Sequence, residues 1–513
     1  MNTTGPSFSQ SLIRSTQRAS PTLMCSYLFA RTATQLTESA LQTANKYACY
    51  RGPDKTRVVQ QQDRYGYSLT FLHNLLDISG TSCVQPIIDA NFANLTALFN
   101  GEIYNFRQLT GGGRDTDCIL PTYVEFGKSA GQYFDGEFAI TLYDCEKNSL
   151  FIFTDPFLTK PLYWGTNDAR TAFGVATCGS SLRAIGCHRT ELFDPNATYE
   201  VNFSPDGFAM KCQREVRPFR LEQHKNDYTD WGAAFIDSVR KRASHGAHRP
   251  MVFLSSGYDS GAICVALNHL EIGYDTFSIV AGEHRGILEK RIRINRAHSC
   301  GEAFCVESLS ETDLQRMTED IGANVEPFVY VHEDKPGVIC DLRTDGGALG
   351  ANYLAELARH KNRLVNLSGS GADEIMSDYG FAGKKFYHHS EFGGLFPDDL
   401  ESIFPWKKFY GDTQRSYLFK DEYTLGRHGI EGRYPFLDWK VVQEFLALKP
   451  DLKNKSYKGA IGHLLSLHDY PYEPMKKRGF SPSAGTQILE QNLPVKRSSL
   501  TKSLIRRFRR FRQ

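Results

Sequence analysis

The sequence predicts two domains of different class: an α+β domain of packed antiparallel sheets, then an α/β domain built on a parallel sheet. Three observations carry this reading. Over residues 25–203, short apolar runs (95–99, 138–143, 150–153) are broken by Gly, Asn and Asp, with helical patterns at 40–48 and 119–126. From about Trp231, strand and helix patterns alternate, as in a parallel sheet covered by helices. Two Ser/Gly-rich stretches, 255–260 and 368–374, each follow a predicted strand, and ligands of such sheets sit beyond the carboxyl ends of the strands.

At 513 residues the chain is too long for one ordinary core. The boundaries read as a leader over 1–24, a first domain over 25–205, a second over 220–495 and a basic tail over 496–513, with the polar stretch 214–230 joining the domains. A formal net charge of +2 gives no general argument for nucleic acid, and none is expected as a partner. No apolar run approaches the ~18–20 residues that span a bilayer. The 12 cysteines show neither C-x-x-C pairs nor zinc spacing, so they read as reduced thiols in a cytosol-like compartment.

Residues 1–23 carry Arg14 and Arg18 and no acidic residue. They read as a mitochondrial-type transit segment, a disordered leader, or the product of an upstream start preceding Met24. A cytoplasmic location is the expectation, with mitochondrial targeting the alternative. In the tail, Leu500, Leu504, Phe508 and Phe511 would share one face of a basic helix, suited to an anionic surface or simply solvated.

The stretch Leu254-Ser255-Ser256-Gly257-Tyr258-Asp259-Ser260-Gly261 lies between an apolar strand and an apolar helix, which is how a chain builds an anion cradle from backbone N–H groups. Gly257 admits a close phosphate, the Ser255 and Ser260 hydroxyls can donate to it, and Asp259 makes sense beside a phosphate when it holds Mg²⁺. A Ser/Gly turn with no ligand is the plainer reading of this stretch taken alone. The spacing differs from the P-loop. It resembles the Ser-Gly-Gly-x-Asp-Ser pyrophosphate loop of ATP-pyrophosphatases, with Ser256 in the second position.

Upstream, Cys25 is followed by Tyr50-Arg51-Gly52-Pro53-Asp54, Gln85-Pro86, Asn100-Gly101-Glu102-Ile103-Tyr104-Asn105, Asp115-Thr116-Asp117 and Lys160-Pro161-Leu162-Tyr163. In this order they resemble the class II glutamine amidotransferase domain of glutamine-hydrolysing asparagine synthetases, which has an N-terminal-nucleophile fold. The resemblance implies that the Cys25 thiol attacks the glutamine amide, its own freed amino group taking the proton. It implies that Asn100 and the Gly101 N–H stabilise the oxyanion, on the order of 3–4 kcal/mol per donor. Arg51, Glu102 and Asp117 are then expected to bind glutamine, Asp117 through the ammonium. The family grips the glutamine carboxylate with an Arg in a His-x-Arg-Leu-Ser segment. Here the matching stretch, Leu72-His73-Asn74-Leu75-Leu76-Asp77-Ile78, has none.

In the second half, Leu367-Ser368-Gly369-Ser370-Gly371-Ala372-Asp373-Glu374, the Glu431-Gly432-Arg433-Tyr434-Pro435-Phe436-Leu437-Asp438 segment, Lys458 and the 477–482 run resemble the synthetase domain of the same family. The resemblance implies ATP bound by Ser255, Ser256, Gly257, Asp259, Ser260, Gly369 and Gly371, with adenine near Ser278 and Mg²⁺ on Asp259 and Asp373. Glu431 and Lys458 are expected to act in catalysis. Asparagine synthetases carry Glu at the position of Ser370, and related β-lactam synthetases carry Tyr acting with a Glu that matches Glu431. A serine hydroxyl does neither group's acid–base work. The expectation is therefore a glutamine- and ATP-dependent amidation of a carboxylate through an acyl-adenylate, giving AMP and pyrophosphate. The acceptor is aspartate by resemblance or another carboxylate of a specialised pathway. The rivals are a synthetase using a different amine with a silent glutaminase half, and a decayed interaction paralogue. A homodimer is compatible with the resemblance.

Overall fold

The computed structural model describes residues 23–78, 83–244, 248–331, 339–477 and 482. The expected leader up to its last two residues, the basic tail 496–513 and residues 478–481 of the 477–482 run lie outside them.

The first half contains β1 (Leu23–Thr32), β2 (Lys55–Gln62), β3 (Ser68–Asp77), β4 (Leu95–Ile103), β5 (Gly136–Asp144) and β6 (Ser149–Thr154). It continues with β7 (Tyr163–Thr166), β8 (Phe173–Ala176), β9 (Arg189–Leu192), β10 (Ala197–Ser204) and β11 (Gly207–Arg214). All pair antiparallel, in the order β11-β10-β6-β5-β4-β1-β8-β7-β9, with β3 on β1 and β2 on β3. The link between β4 and β1 is the single pair Leu23↔Gly101, and there the ribbon doubles back into two layers. Phe29 of β1, 5.2 Å from its cross-strand neighbour Phe71 of β3, meets the other layer at Tyr143 of β5 and Phe203 of β10, with ring centroids 6.4 and 6.3 Å away. β2 forms an outer edge, and its Lys55, Arg57 and glutamines suit a solvated strand. The expected helix over 119–126 is Ile119–Phe126, and that over 40–48 is Glu38–Ala44, started early because Thr37 caps it by accepting from the Ala40 N–H at 3.3 Å.

The second half has a five-stranded parallel sheet, as expected. Its strands are β12 (Met251–Phe253), β13 (Tyr274–Ile279), β14 (Cys300–Val306), β15 (Val365–Leu367) and β16 (Glu431–Arg433), in the order β14-β13-β12-β15-β16. Met251, Phe277 and Ile279 pack with Leu354, Ala355 and Ala358 of helix Gly346–His360 on one face. Helix Tyr258–His269, buried almost throughout, runs back from the end of β12. Beyond residue 384 the pattern reads as helical, yet β16 lies there. It has no apolar run to announce it, being Glu-Gly-Arg held in register by Val365↔Glu431 and by the Glu431 N–H on Leu364 O at 2.8 Å.

The halves pack along helix Thr413–Arg427, where Phe419 lies 6.3 Å from Tyr163 and the Tyr163 and Tyr423 hydroxyls are 2.9 Å apart. Their seam carries buried ions of both signs.

Candidate active sites

Cys25 is the third residue of β1, fully buried, opposite Leu75 of β3. Its backbone N–H donates to Asn100 Oδ1 at 3.2 Å. The Asn100 Nδ2 is buried with no hydrogen-bond partner among the described residues, so the amide that meets the Cys25 backbone keeps an unspent donor. Gly101 has φ +125°, and a Cβ there would sit 1.8 Å from Glu137 O, so only glycine lets β4 run this close to β5. Burial pushes the Cys25 thiol well up; the Leu76 N–H works the other way, and the charges of Glu431 and Asp115 push it further up.

Around this thiol lie Leu75 and Cys83, and the Cys83 sulfur feels Arg114, Asp115 and Asp117. Arg114 Nη2 pairs with Asp117 Oδ1 at 2.8 Å, both side chains 39% exposed and so open to exchange for another ion. Asp115 is fully buried, its Oδ1 accepting the Thr116 N–H at 2.7 Å, and burial pushes its carboxyl up to about 7 with help from the Glu431 charge. The sequence points to Asp115 only as part of the Asp115-Thr116-Asp117 run and does not point to Arg114, since neither type is distinctive without its neighbours.

Arg51 and Glu102, expected on glutamine, are both engaged in the seam. Arg51 Nη2 pairs with Glu422 Oε2 at 2.5 Å, and Glu102 Oε1 accepts from Arg433 Nη2 at 3.1 Å. Arg433 also pairs with Glu431 Oε1 at 2.5 Å, while Lys160 donates to Glu422 Oε1 at 3.0 Å and to Gly432 O at 2.7 Å. Arg242 joins Glu137 at 2.6 Å to Asp438 at 2.9 Å. Burial, then the neighbouring Glu431 charge, pushes the Glu102 carboxyl well up. Glu431 thus stands between the two halves, close enough to be felt at Cys25. The stretch lacking the family's Arg lies in β3, and Asn74 there exchanges hydrogen bonds with Ser26, Asn45 and Thr56.

At the carboxyl end of the parallel sheet, the two Ser/Gly stretches meet: a Cβ on Gly369 would lie 2.8 Å from Asp259 Cβ. Lys458 Nζ spans the carboxylates, 2.6 Å from Asp259 and 2.9 Å from Asp373, and Tyr457 donates to Asp373 at 2.7 Å. Lys477 also pairs with Asp373. Burial pushes Asp373 up, but the ammonium groups of Lys458 and Lys477 prevail and hold it well below the carboxylate range; for Asp259 burial prevails and the shift is upward. The first loop is held from behind. The Ser255 N–H and hydroxyl meet Ser260 Oγ at 3.0 and 2.9 Å, the Gly257 N–H donates to Ser255 Oγ at 3.1 Å, and the Ser256 N–H donates to Glu283 at 2.6 Å. Buried Arg291 donates to both Ser255 O and Gly257 O at 2.7 Å, a clamp that no motif announces because it comes from helix Arg285–Ala297. Ser278, in β13, spends its hydroxyl on Leu254 O at 2.8 Å. Gly371 has φ +96° and faces Leu437 at 2.4 Å from a Cβ position, again a place for glycine alone. Beside it, the Ser368 and Ser370 hydroxyls both donate to Asp421 Oδ2 at 2.7 Å.

A buried cysteine in a doubled antiparallel ribbon is thus joined by an ionic seam to a parallel sheet with paired acidic loops at its carboxyl end. The glutamine amidotransferase domain family matches residues 24–201, and the asparagine synthase family matches residues 230–422. The chain belongs to the glutamine-hydrolysing asparagine synthetase family. It is 25% identical to asparagine synthetase [glutamine-hydrolyzing] of Gallus gallus, over 79% of this chain and 73% of that one. It is 26% identical to asparagine synthetase [glutamine-hydrolyzing] 1 of Saccharomyces cerevisiae, over 81% and 74%. It is 24% identical to a putative asparagine synthetase of Methanocaldococcus jannaschii, over 75% and 70%. Among solved structures, glutamine phosphoribosylpyrophosphate amidotransferase from B. subtilis aligns over 54% of this chain and 80% of that one at 12% identity, with a TM-score of 0.32, too slight a likeness to argue from. Glu431, Lys458 and Lys477 lie beyond the matched asparagine synthase span. Among the described residues no helix is long and apolar enough to cross a membrane.

Proposed function

We propose that this chain is a glutamine- and ATP-dependent amide synthetase that activates a carboxylate as its acyl-adenylate. The convergence of Asp259, Asp373 and Lys458 where the two loops meet carries the reading, since such a set suits a nucleotide's phosphates better than any structural need. Paired carboxylates are hard oxygen ligands and fit Mg²⁺. Among the described residues no group of three or more His, Cys, Asp or Glu is placed to hold a metal, so phosphate oxygens and water would complete the shell. Bound there, Mg²⁺ supplies charge neutralisation on the phosphates. The loop N–H groups and hydroxyls of 255–260 bind the phosphates, and Lys458 offsets charge on the departing pyrophosphate.

In the first domain Cys25, once its amino group is free, attacks the glutamine amide, and Asn100 Nδ2 with the Gly101 N–H holds the oxyanion. Asp117 takes the glutamine ammonium. Arg114, already beside it, takes the carboxylate in place of the Arg missing from 72–78. The zwitterion replaces the Arg114–Asp117 pair by two ion pairs of the same kind. Ammonia then passes through the seam by Glu431, enclosed because free ammonia at neutral pH is mostly the non-nucleophilic ammonium ion. The acceptor is aspartate by kinship or a related carboxylate.

The expected result is glutamine-dependent pyrophosphate release, with Cys25→Ala keeping only ammonium-dependent synthesis. A second reading, a synthetase with a silent glutaminase half, is favoured by the engagement of Arg51 with Glu422 and Glu102 with Arg433. Glutaminase activity no higher than that of Cys25→Ala selects it.

A further inference from the structure

We propose that Asp421 is the proton acceptor of the amide-forming step, facing the nitrogen that attacks the activated carboxylate. The inference rests on the adenylating reading above and assigns a group that the loop itself does not provide. Asp421 lies on helix Thr413–Arg427, and its Oδ2 accepts from Ser368 and Ser370, each at 2.7 Å. Ser370 is flanked by Gly369, which backs onto Asp259, so this carboxylate adjoins the nucleotide loops.

Three features set it apart from the structural carboxylates nearby. Among the described residues it forms no salt bridge: the Lys420 ammonium goes to Asp345 at 3.0 Å, whereas Glu422 is claimed by Arg51 and Lys160. Both hydroxyls crowd onto Oδ2, and among the described residues Oδ1 accepts no hydrogen bond, while the residue stays partly exposed. On the same helix, the Tyr417 hydroxyl and the buried Gln414 amide lack hydrogen-bond partners among the described residues. Positions 414, 417 and 421 fall on one helical face, which therefore offers polar groups to a ligand. The charged and titratable groups facing Asp421 are Lys420 and Glu422 on its own helix and Tyr434 just after β16. Burial raises its carboxyl and the Ser370 and Ser368 hydroxyls lower it, with burial prevailing so that the shift is upward.

In the step, the nitrogen lone pair of ammonia forms the C–N bond at the acyl carbon. Asp421 takes one proton from the nitrogen, the carbonyl re-forms, and the C–O bond to AMP breaks with its electron pair leaving on the phosphate. The proton then passes from Asp421 to water.

The test compares Asp421→Asn, which keeps an acceptor for both serines, with Asp421→Ala carrying Ser370→Glu, which returns a carboxylate to the loop. Pyrophosphate exchange reads adenylation, and amide formation from ammonium chloride reads the second step, with aspartate first and then a panel of carboxylic acids. For Asp421→Asn the expected result is exchange within about threefold of the parent and amide formation down about 100-fold or more, with the acid limb of its pH profile lost. The double variant should recover amide formation and an acid limb. Amide formation kept within about threefold in Asp421→Asn, or exchange and amide formation lost in parallel, overturns the inference and leaves the adenylating reading standing. Absence of exchange in the parent with every acid sinks that reading, and this inference with it.

Discussion

Arg114 and Asp115 are two adjacent residues with opposite tasks. The Arg114 side chain is half-exposed and, among the described residues, its salt bridge is to Asp117, so this ion pair contributes little to stability and is cheap to exchange. Arg114→Ala should raise the KM for glutamine by about 10- to 100-fold, equivalent to about 1.4–2.8 kcal/mol, with ammonium-dependent synthesis and melting unchanged. Steady-state kinetics with each nitrogen donor checks this, and an unchanged KM removes Arg114 from the site. Asp115, by contrast, is buried and keeps its proton to about pH 7, against 3.8 in the unfolded chain. The native state therefore binds the extra proton, and the stability this confers is full below pH 4 and declines as pH rises from about 4 to 7. Asp115→Asn should flatten that decline, gaining up to about 4 kcal/mol over the parent at pH 8 relative to pH 4. Urea melts at the two pH values measure it, and parallel pH dependence in both proteins contradicts the assignment.

Strand β4 shows how an element delivers chemistry. It carries Asn100 to the Cys25 N–H because Gly101 lets it lie against β5 with φ +125°. Gly101→Ala places a Cβ 1.8 Å from Glu137 O, backbone that cannot swing aside, and should cost about 3 kcal/mol or more, read as a fall in melting temperature. Much of this element was legible: its apolar run marks a buried strand, and its Asn-Gly pair follows directly. Helix Ile119–Phe126 and the strand–loop–helix around Ser255 were legible for the same reason, a local pattern that agrees with the tertiary outcome. β16 was not, because three residues reading Glu-Gly-Arg become a strand only through β15 and through ions from the other half. Arg291 and Asp421 were equally hidden. Each reaches its loop from a distant helix, and a lone Arg or Asp on a helix reads as a solvated face.

At the scale of the whole molecule, the seam is the feature that composition cannot reveal. Arg433 reaches Glu431 in its own half and Glu102 in the other, all three side chains excluded from solvent. Removing one partner of a buried set leaves charges uncompensated. Arg433→Met should therefore destabilise the protein by about 3–5 kcal/mol and depress glutamine-dependent synthesis more than ammonium-dependent synthesis. Thermal melting and paired assays test both halves of that statement. The central claim, that nitrogen released at Cys25 reaches a carboxylate activated at the Asp259–Asp373 site, is tested most directly with amide-¹⁵N glutamine, MgATP and unlabelled ammonium in excess. The expected result is ¹⁵N in the amide product, undiluted by bulk ammonium, with glutamate, AMP and pyrophosphate formed in equal amounts. Product carrying the bulk nitrogen, or ATP cleaved to ADP and phosphate, would contradict it.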